Sequence, residues 1–242
     1  MNTLAVKAPQ YKTLSIVLLA CLCLLAPHAF AAKDPLTITY PDIPPPPGSE
    51  WSWVGRQMIV DGTPMSIKVF NFNGTEAELI QHFENFWKTF GHGTFGRTAL
   101  GNKRMLTHHT AEYYTTVQYQ WDGKQFTGSI ALSRPDMAKP VPRKLPIKSP
   151  PGTTVMSRIE SNDLGIFSDS ITLLSNRSQS FNVSYYAAQL INDGWTQIAK
   201  SCSDTGCNLQ FQSIQGQLQI SIKDLPGTHG KQSRILVHWI KQ

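Results

Sequence analysis

Apolar residues recur along this chain with two different periods. Strict alternation with polar residues in Ser66-Ile67-Lys68-Val69-Phe70, Val117-Gln118-Tyr119-Gln120 and Leu209-Gln210-Phe211-Gln212 predicts strands with one buried face. Leu79, Phe83, Phe86 and Phe90 fall instead at helical spacing, as do Val183, Ala187, Leu190 and Ile191. Thr75 with Glu78 forms a capping box at the start of the first helix, and Ser178 or Ser180 can cap the second. Asp61-Gly62, Asp122-Gly123 and Gln215-Gly216 read as hairpin turns, with a further turn near Asn162-Asp163.

These elements repeat. Ser66-Ile67-Lys68-Val69-Phe70 answers to Ser170-Ile171-Thr172-Leu173-Leu174, and the hairpin around Asp122-Gly123 answers to the one around Gln215-Gly216. The expected fold class is therefore α+β: two related modules, each a single helix packed on a small antiparallel sheet in the order β-β-α-β-β. Arg234 to Ile240 supplies an added strand to the second module. Pro-rich stretches punctuate the chain, because each proline removes a donor and fixes φ. They divide it into a tether over 32–50, a first module over 51–133, a basic linker over 134–151 and a second module over 152–242.

Ahead of the tether, Lys7 and Lys12 precede an uncharged apolar run from Leu14 to Ala26, which ends in Ala29-Phe30-Ala31. A basic start, a short apolar stretch and small residues before the cut are the marks of a cleavable secretory signal, with cleavage near Ala31. Leu18-Leu19-Ala20-Cys21 offers a lipoprotein alternative, which the apolar residues after Cys21 disfavour. The mature chain then keeps Cys202 and Cys207 across a polar turn, the arrangement of a structural disulfide in an oxidising periplasm. The formal net charge is +6, and removing Lys7 and Lys12 leaves +4. That excess allows weak contact with an anionic membrane surface and is too small for a nucleic-acid binder.

No catalytic or phosphate-binding motif is present, so no catalytic residue, cofactor or metal is assigned and no enzyme is expected. His82, His92 and the adjacent His108-His109 come nearest to a metal set, but neighbouring strand residues point to opposite faces. Candidate binding-surface residues are Trp51, Trp53, Tyr113 and Tyr114 from the aromatic-rich first module, with Arg143 and Lys144 from the basic linker. The architecture is loosely similar to the small domains of outer-membrane assembly accessory proteins and secretion-apparatus subunits. The expectation is an exported, non-enzymatic adaptor of the cell envelope acting through protein-protein contacts. The alternative is a soluble periplasmic binding protein for a lipid, glycan or peptide.

Overall fold

Among the described residues, twelve strands form a single antiparallel sheet, and two α-helices lie on one of its faces. The computed structural model describes residues 34–90, 92–139, 145–226 and 232–242, without the side chains of Phe90 and Leu100. The expected signal segment, with Cys21 and Cys23, lies outside the described residues.

In chain order the elements are β1 (Glu50–Val60), β2 (Thr63–Phe72), α1 (Glu76–Phe90), β3 (Thr94–Leu100), β4 (Lys103–His109), β5 (Tyr114–Trp121) and β6 (Phe126–Ser133). There follow β7 (Thr153–Asp163), β8 (Ile166–Ser175), α2 (Gln179–Asn192), β9 (Thr196–Ser203), β10 (Gly206–Ser213), β11 (Gly216–Asp224) and β12 (Ser233–Lys241). Across the sheet the order is β3-β4-β5-β6-β2-β1-β7-β8-β12-β11-β10-β9.

The expected pair of β-β-α-β-β modules is thus overturned. Each half holds six strands about its helix, and the halves share one continuous sheet through β1 and β7 rather than being joined only by a linker. With that module gone, the likeness to envelope accessory domains loses its footing. The missing strands are β3, β4 and β9. β3 and β9 are the two edges of the sheet, where no second face need be buried, so Thr-Phe-Gly-Arg-Thr-Ala-Leu and Thr-Gln-Ile-Ala-Lys-Ser-Cys-Ser carry no clear alternation.

The alternation elsewhere does its expected work. Phe70 and Phe72 on β2, Ile130 and Leu132 on β6, and Val117 and Tyr119 on β5 bury against Leu79, Phe83 and Trp87 of α1. The second core joins Ile171, Leu173, Leu209, Phe211, Ile220 and Val237 to Val183, Tyr186 and Leu190 of α2. Both helices start at the predicted caps. Glu78 N donates to Thr75 Oγ1 at 3.3 Å while Thr75 N donates to Glu78 Oε2 at 2.8 Å, and Phe181 N donates to Ser178 Oγ at 3.3 Å. Cys202 and Cys207 face one another across the β9–β10 hairpin and are disulfide-bonded, which pins the edge strand β9 to its neighbour.

The Pro-rich segments are straps that reach into the cores. Ile43 is buried in the first core and Ile147 in the second, each shortly before a Pro-Pro-Gly turn. Each strap is tied to its helix: His82 Nε2 donates to Pro44 O and Tyr185 Oη donates to Ser149 O, both at 3.0 Å.

Register carries one face across the junction. Pro64, Ile59, Glu160 and Asp169 stand opposite one another in turn, so α1 and α2 cover the same side of the sheet. Among the described residues no helix lies on the other side. β1 and β7 share only four paired positions, Gln57↔Asn162 to Val60↔Ile159. Each half also makes its first hairpin with a two-residue left-handed turn, Asp61-Gly62 (φ 48° and 84°) and Leu164-Gly165 (φ 52° and 91°). The second turn thus falls just beyond the expected Asn162-Asp163.

Candidate functional site

The offset between the halves creates a cleft at the centre of the helix-bearing face. Because β1 and β7 overlap so briefly, the first part of β1 runs on beside the tip of the β7–β8 hairpin. Two bulges interrupt β1 there, between Trp53 and Gly55 and between Gly55 and Met58. A bulge inserts unpaired residues and re-aims their side chains. Here it directs Arg56 and Gln57 toward the strap and leaves Ser66 of β2 without a residue opposite on β1.

The result is a cleft of about 340 Å³. Ile38, Tyr40 and Asp42 of the strap form its roof, Trp53, Arg56 and Ser66 its floor, and Asn162, Leu164 and Gly165 one wall. Amide bonds hold the strap down: Gln57 Nε2 donates to Ile38 O at 3.2 Å and Asn162 Nδ2 donates to Gln57 Oε1 at 3.2 Å.

The same place in the other half is closed. Arg158 N donates to Asp61 Oδ1 at 2.7 Å and Asp61 N donates to Arg158 O at 2.9 Å, which sews the β1–β2 turn to β7. Leu164 takes the position of Asp61 in the other turn, and a leucine side chain cannot accept such a bond. Instead it stands 86% exposed.

Charge in the cleft is unevenly neutralised. Lys68 is buried, pairs with Asp42 and donates to Ile43 O at 2.9 Å. Its ammonium lies 4.9 Å from the Trp51 ring centre and 4.5 Å from that of Trp53. The Arg56 guanidinium lies 5.1 Å from the Trp53 ring centre and makes no ion pair among the described residues. Nearby, burial pushes the Tyr40 phenol well above its usual range, and its hydroxyl is shielded with no hydrogen-bond partner.

The predicted surface residues do not converge. Trp51 and Trp53 meet edge to face at 6.1 Å and belong to the cleft region. Tyr113 lies under the strap, 6.0 Å from Tyr40 and with the Arg134 guanidinium 5.2 Å from its ring centre. Tyr114 is on the opposite face of the sheet beside His109, 5.9 Å away. Arg143 and Lys144 lie outside the described residues.

The histidines separate as strand alternation requires. His108 is buried and stacks on Trp87 at 5.2 Å, and desolvation, followed by the charge of His109, holds its imidazole below its usual pKa. No group of three metal-ligating side chains converges among the described residues.

Sequence reasoning missed a second feature, an apolar rim at one end of the sheet. Leu164 (86% exposed), Ile166 (59%) and Phe167 (42%) sit at the β7–β8 tip, and Ile214 (94%) at the β10–β11 tip. Ile240, near the end of β12, stands between them, because β12 pairs with both β8 and β11. The signal was present as Leu164-Gly165-Ile166-Phe167, an apolar run where a turn should be polar. Comparisons with protein-family models, with curated proteins and with solved structures find no match to this chain.

Proposed function

We propose that this protein is an exported, non-enzymatic adaptor of the cell envelope that docks a protein partner through the apolar rim. The observation that carries this reading is the cluster of Leu164, Ile166, Phe167, Ile214 and Ile240 on adjoining strand ends. Singly exposed apolar residues are ordinary, but several together on neighbouring elements mark an interaction surface. Leu164 also holds a left-handed backbone that disfavours it, and strain retained at an exposed position is a mark of function. The Leu14–Ala31 pattern supports export, and the disulfide fits an oxidising compartment such as the periplasm.

Descent from a duplicated unit belongs to the same proposal. Outward from the β1–β7 junction, both halves run through their strands in the same order, and both carry an isoleucine strap with Pro-Pro-Gly. Met58, paired with Ser161, is the same number of residues from it as Asp61 is from Leu164 and Phe83 from Tyr186.

The test is site-specific photocrosslinking in cells, with the reactive group placed at Leu164, Ile214 or, as a control, Asn208 on the open face. Discrete protein adducts from the two rim positions and none from Asn208 are expected. Adducts of equal pattern at all three positions, or none at the rim, would overturn the reading.

The second reading, a binding protein for a lipid, glycan or peptide, draws on the cleft. A glycan suits it poorly, because Lys68 and Arg56 already lie against the Trp53 ring on which a sugar would stack.

A further inference from the structure

We propose that the central cleft binds a carboxylate carried on an apolar body, with Arg56 and Ser66 gripping the carboxylate and Trp53, Ile38 and Leu164 enclosing the rest. The inference rests on Arg56 and Ser66 in the cleft and shares only Leu164 with the rim, so the acid-against-amide titration tests it separately from the adaptor reading.

Besides the shielded Tyr40 hydroxyl, two polar groups of the cleft lack partners. Ser66 is only 2% exposed, yet its hydroxyl makes no hydrogen bond among the described residues. The hydroxyl therefore opens onto the floor of the cleft, where it is free to bond whatever enters. Arg56 is the second. Its guanidinium lies along the Trp53 ring and makes no ion pair among the described residues, while the neighbouring cation Lys68 is already paired with Asp42.

The ligand chemistry follows from that inventory. One unmatched guanidinium calls for one negative charge, and its planar fork matches a carboxylate in two parallel hydrogen bonds. A phosphate dianion would need a second free cation, and Lys68 has none to spare. A cationic ligand would meet Arg56 head on. Around these groups Ile38, Trp53 and Leu164 are largely apolar, and the volume of about 340 Å³ lies at the small end for ligand sites. A carboxylate on a compact aliphatic group fits that description, either as a free small acid or as the C-terminal residue of a peptide.

The two sources are separable. The purified protein is titrated with N-acetyl-leucine, with its neutral analogue N-acetyl-leucinamide, and with a hexapeptide ending in leucine whose C-terminus is free or amidated. Binding is read from the indole N–H resonance of Trp53, assigned by its loss in Trp53→Phe. The free acids should shift that resonance and bind at least about tenfold more tightly than their amides, the scale of a lost charge-assisted pair. Arg56→Gln should abolish the preference for acid over amide, and Ser66→Ala should weaken acid binding by a smaller factor. Arg56 is exposed, so its replacement leaves the melting temperature unchanged and the comparison clean.

A hexapeptide acid binding about tenfold more tightly than N-acetyl-leucine would identify a peptide C-terminus, and equal affinities a free small acid. Either result supports the site. Equal binding of acid and amide, an undiminished preference in Arg56→Gln, or no shift at about 10 mM of either acid overturns it.

Discussion

Leu164→Asn should make the protein more stable while weakening whatever the rim holds. A left-handed conformation costs an ordinary side chain about 1–2 kcal/mol, most of which asparagine avoids by bonding to its own backbone. Leu164 holds φ 52° at the first position of its two-residue turn. Its packing contributes little in return. At 86% exposure it keeps roughly a seventh of the burial that is worth about 1.5–3 kcal/mol for a whole leucine, or about 0.3 kcal/mol. The substitution should therefore gain about 0.5–1 kcal/mol, which in a chain of this length raises the Tm by about 1–4 °C.

Asp61→Leu, in the matching turn, should do the reverse. It introduces the same strain and removes the acceptor that holds Arg158 N at 2.7 Å, for a loss of about 1–3 kcal/mol. Urea unfolding of the two variants beside the parent measures both, with the slope of the transition checked for constancy. A destabilised Leu164→Asn would refute the reasoning, since it would mean that the leucine packs where it stands exposed. So would a neutral Asp61→Leu.

Arg158 grips the fully buried Asp169 with two bonds, Nε to Oδ1 at 3.0 Å and Nη2 to Oδ2 at 2.6 Å. Arg158→Met should cost about 3–5 kcal/mol in urea unfolding, and adding Asp169→Leu should recover part of that loss. The folded state holds His108 below its usual pKa, so the unfolded chain takes up more protons as the solution is acidified. Stability should therefore decline as pH falls through 6.5 toward the lowered folded value, and His108→Phe should flatten that part of a Tm-against-pH profile. Reducing the Cys202–Cys207 bond, which closes a short loop, should cost about 2 kcal/mol and speed amide exchange in β9 before the rest of the sheet.

What the sequence disclosed was local. Asp61-Gly62, the Thr75–Glu78 box, the two helices and the disulfide all depend on residues a few positions apart, and each stands where its chemistry puts it, although Ile191 of the second stripe is exposed and Tyr186 fills that core instead. Pairing between distant strands left no such mark. Nothing in Gln57–Val60 announces β7 as its neighbour. On the proposed duplication, the repeat was aligned out of step: the Asp122-Gly123 hairpin by a whole strand, since β5–β6 answers to β11–β12, and the Ser66–Phe70 segment by one residue. Matching Ser66–Phe70 to Ser170–Leu174 sets Lys68, which faces the helix, against Thr172, which faces away from it. A one-residue slip exchanges the two faces of a strand, so the pattern looked right while the geometry was inverted.

Ile43 with Pro46-Pro47-Gly48 and Ile147 with Pro150-Pro151-Gly152 would have shown the role of the straps. Proline count alone made them look like spacers. Trp51 and Trp53 were found because they are conspicuous; Arg56 and Ser66 were not, because only the bulges in β1 bring them together.

The brevity of the β1–β7 pairing bears on how the chain is made. A polypeptide released N-terminus first can complete α1 and strands β1 to β6 before β7 exists. During that interval β1, eleven residues long, is an outer edge with its hydrogen-bonding groups unclaimed. Such an edge invites pairing with another nascent copy, the starting event of aggregation. The bulges that shape the cleft also break the regular ladder along this strand, leaving a poor template for an intruder. One irregularity thus serves two periods in the life of the molecule: it protects an unfinished half while the second is still being delivered, and afterwards it holds Arg56 and Ser66 in place.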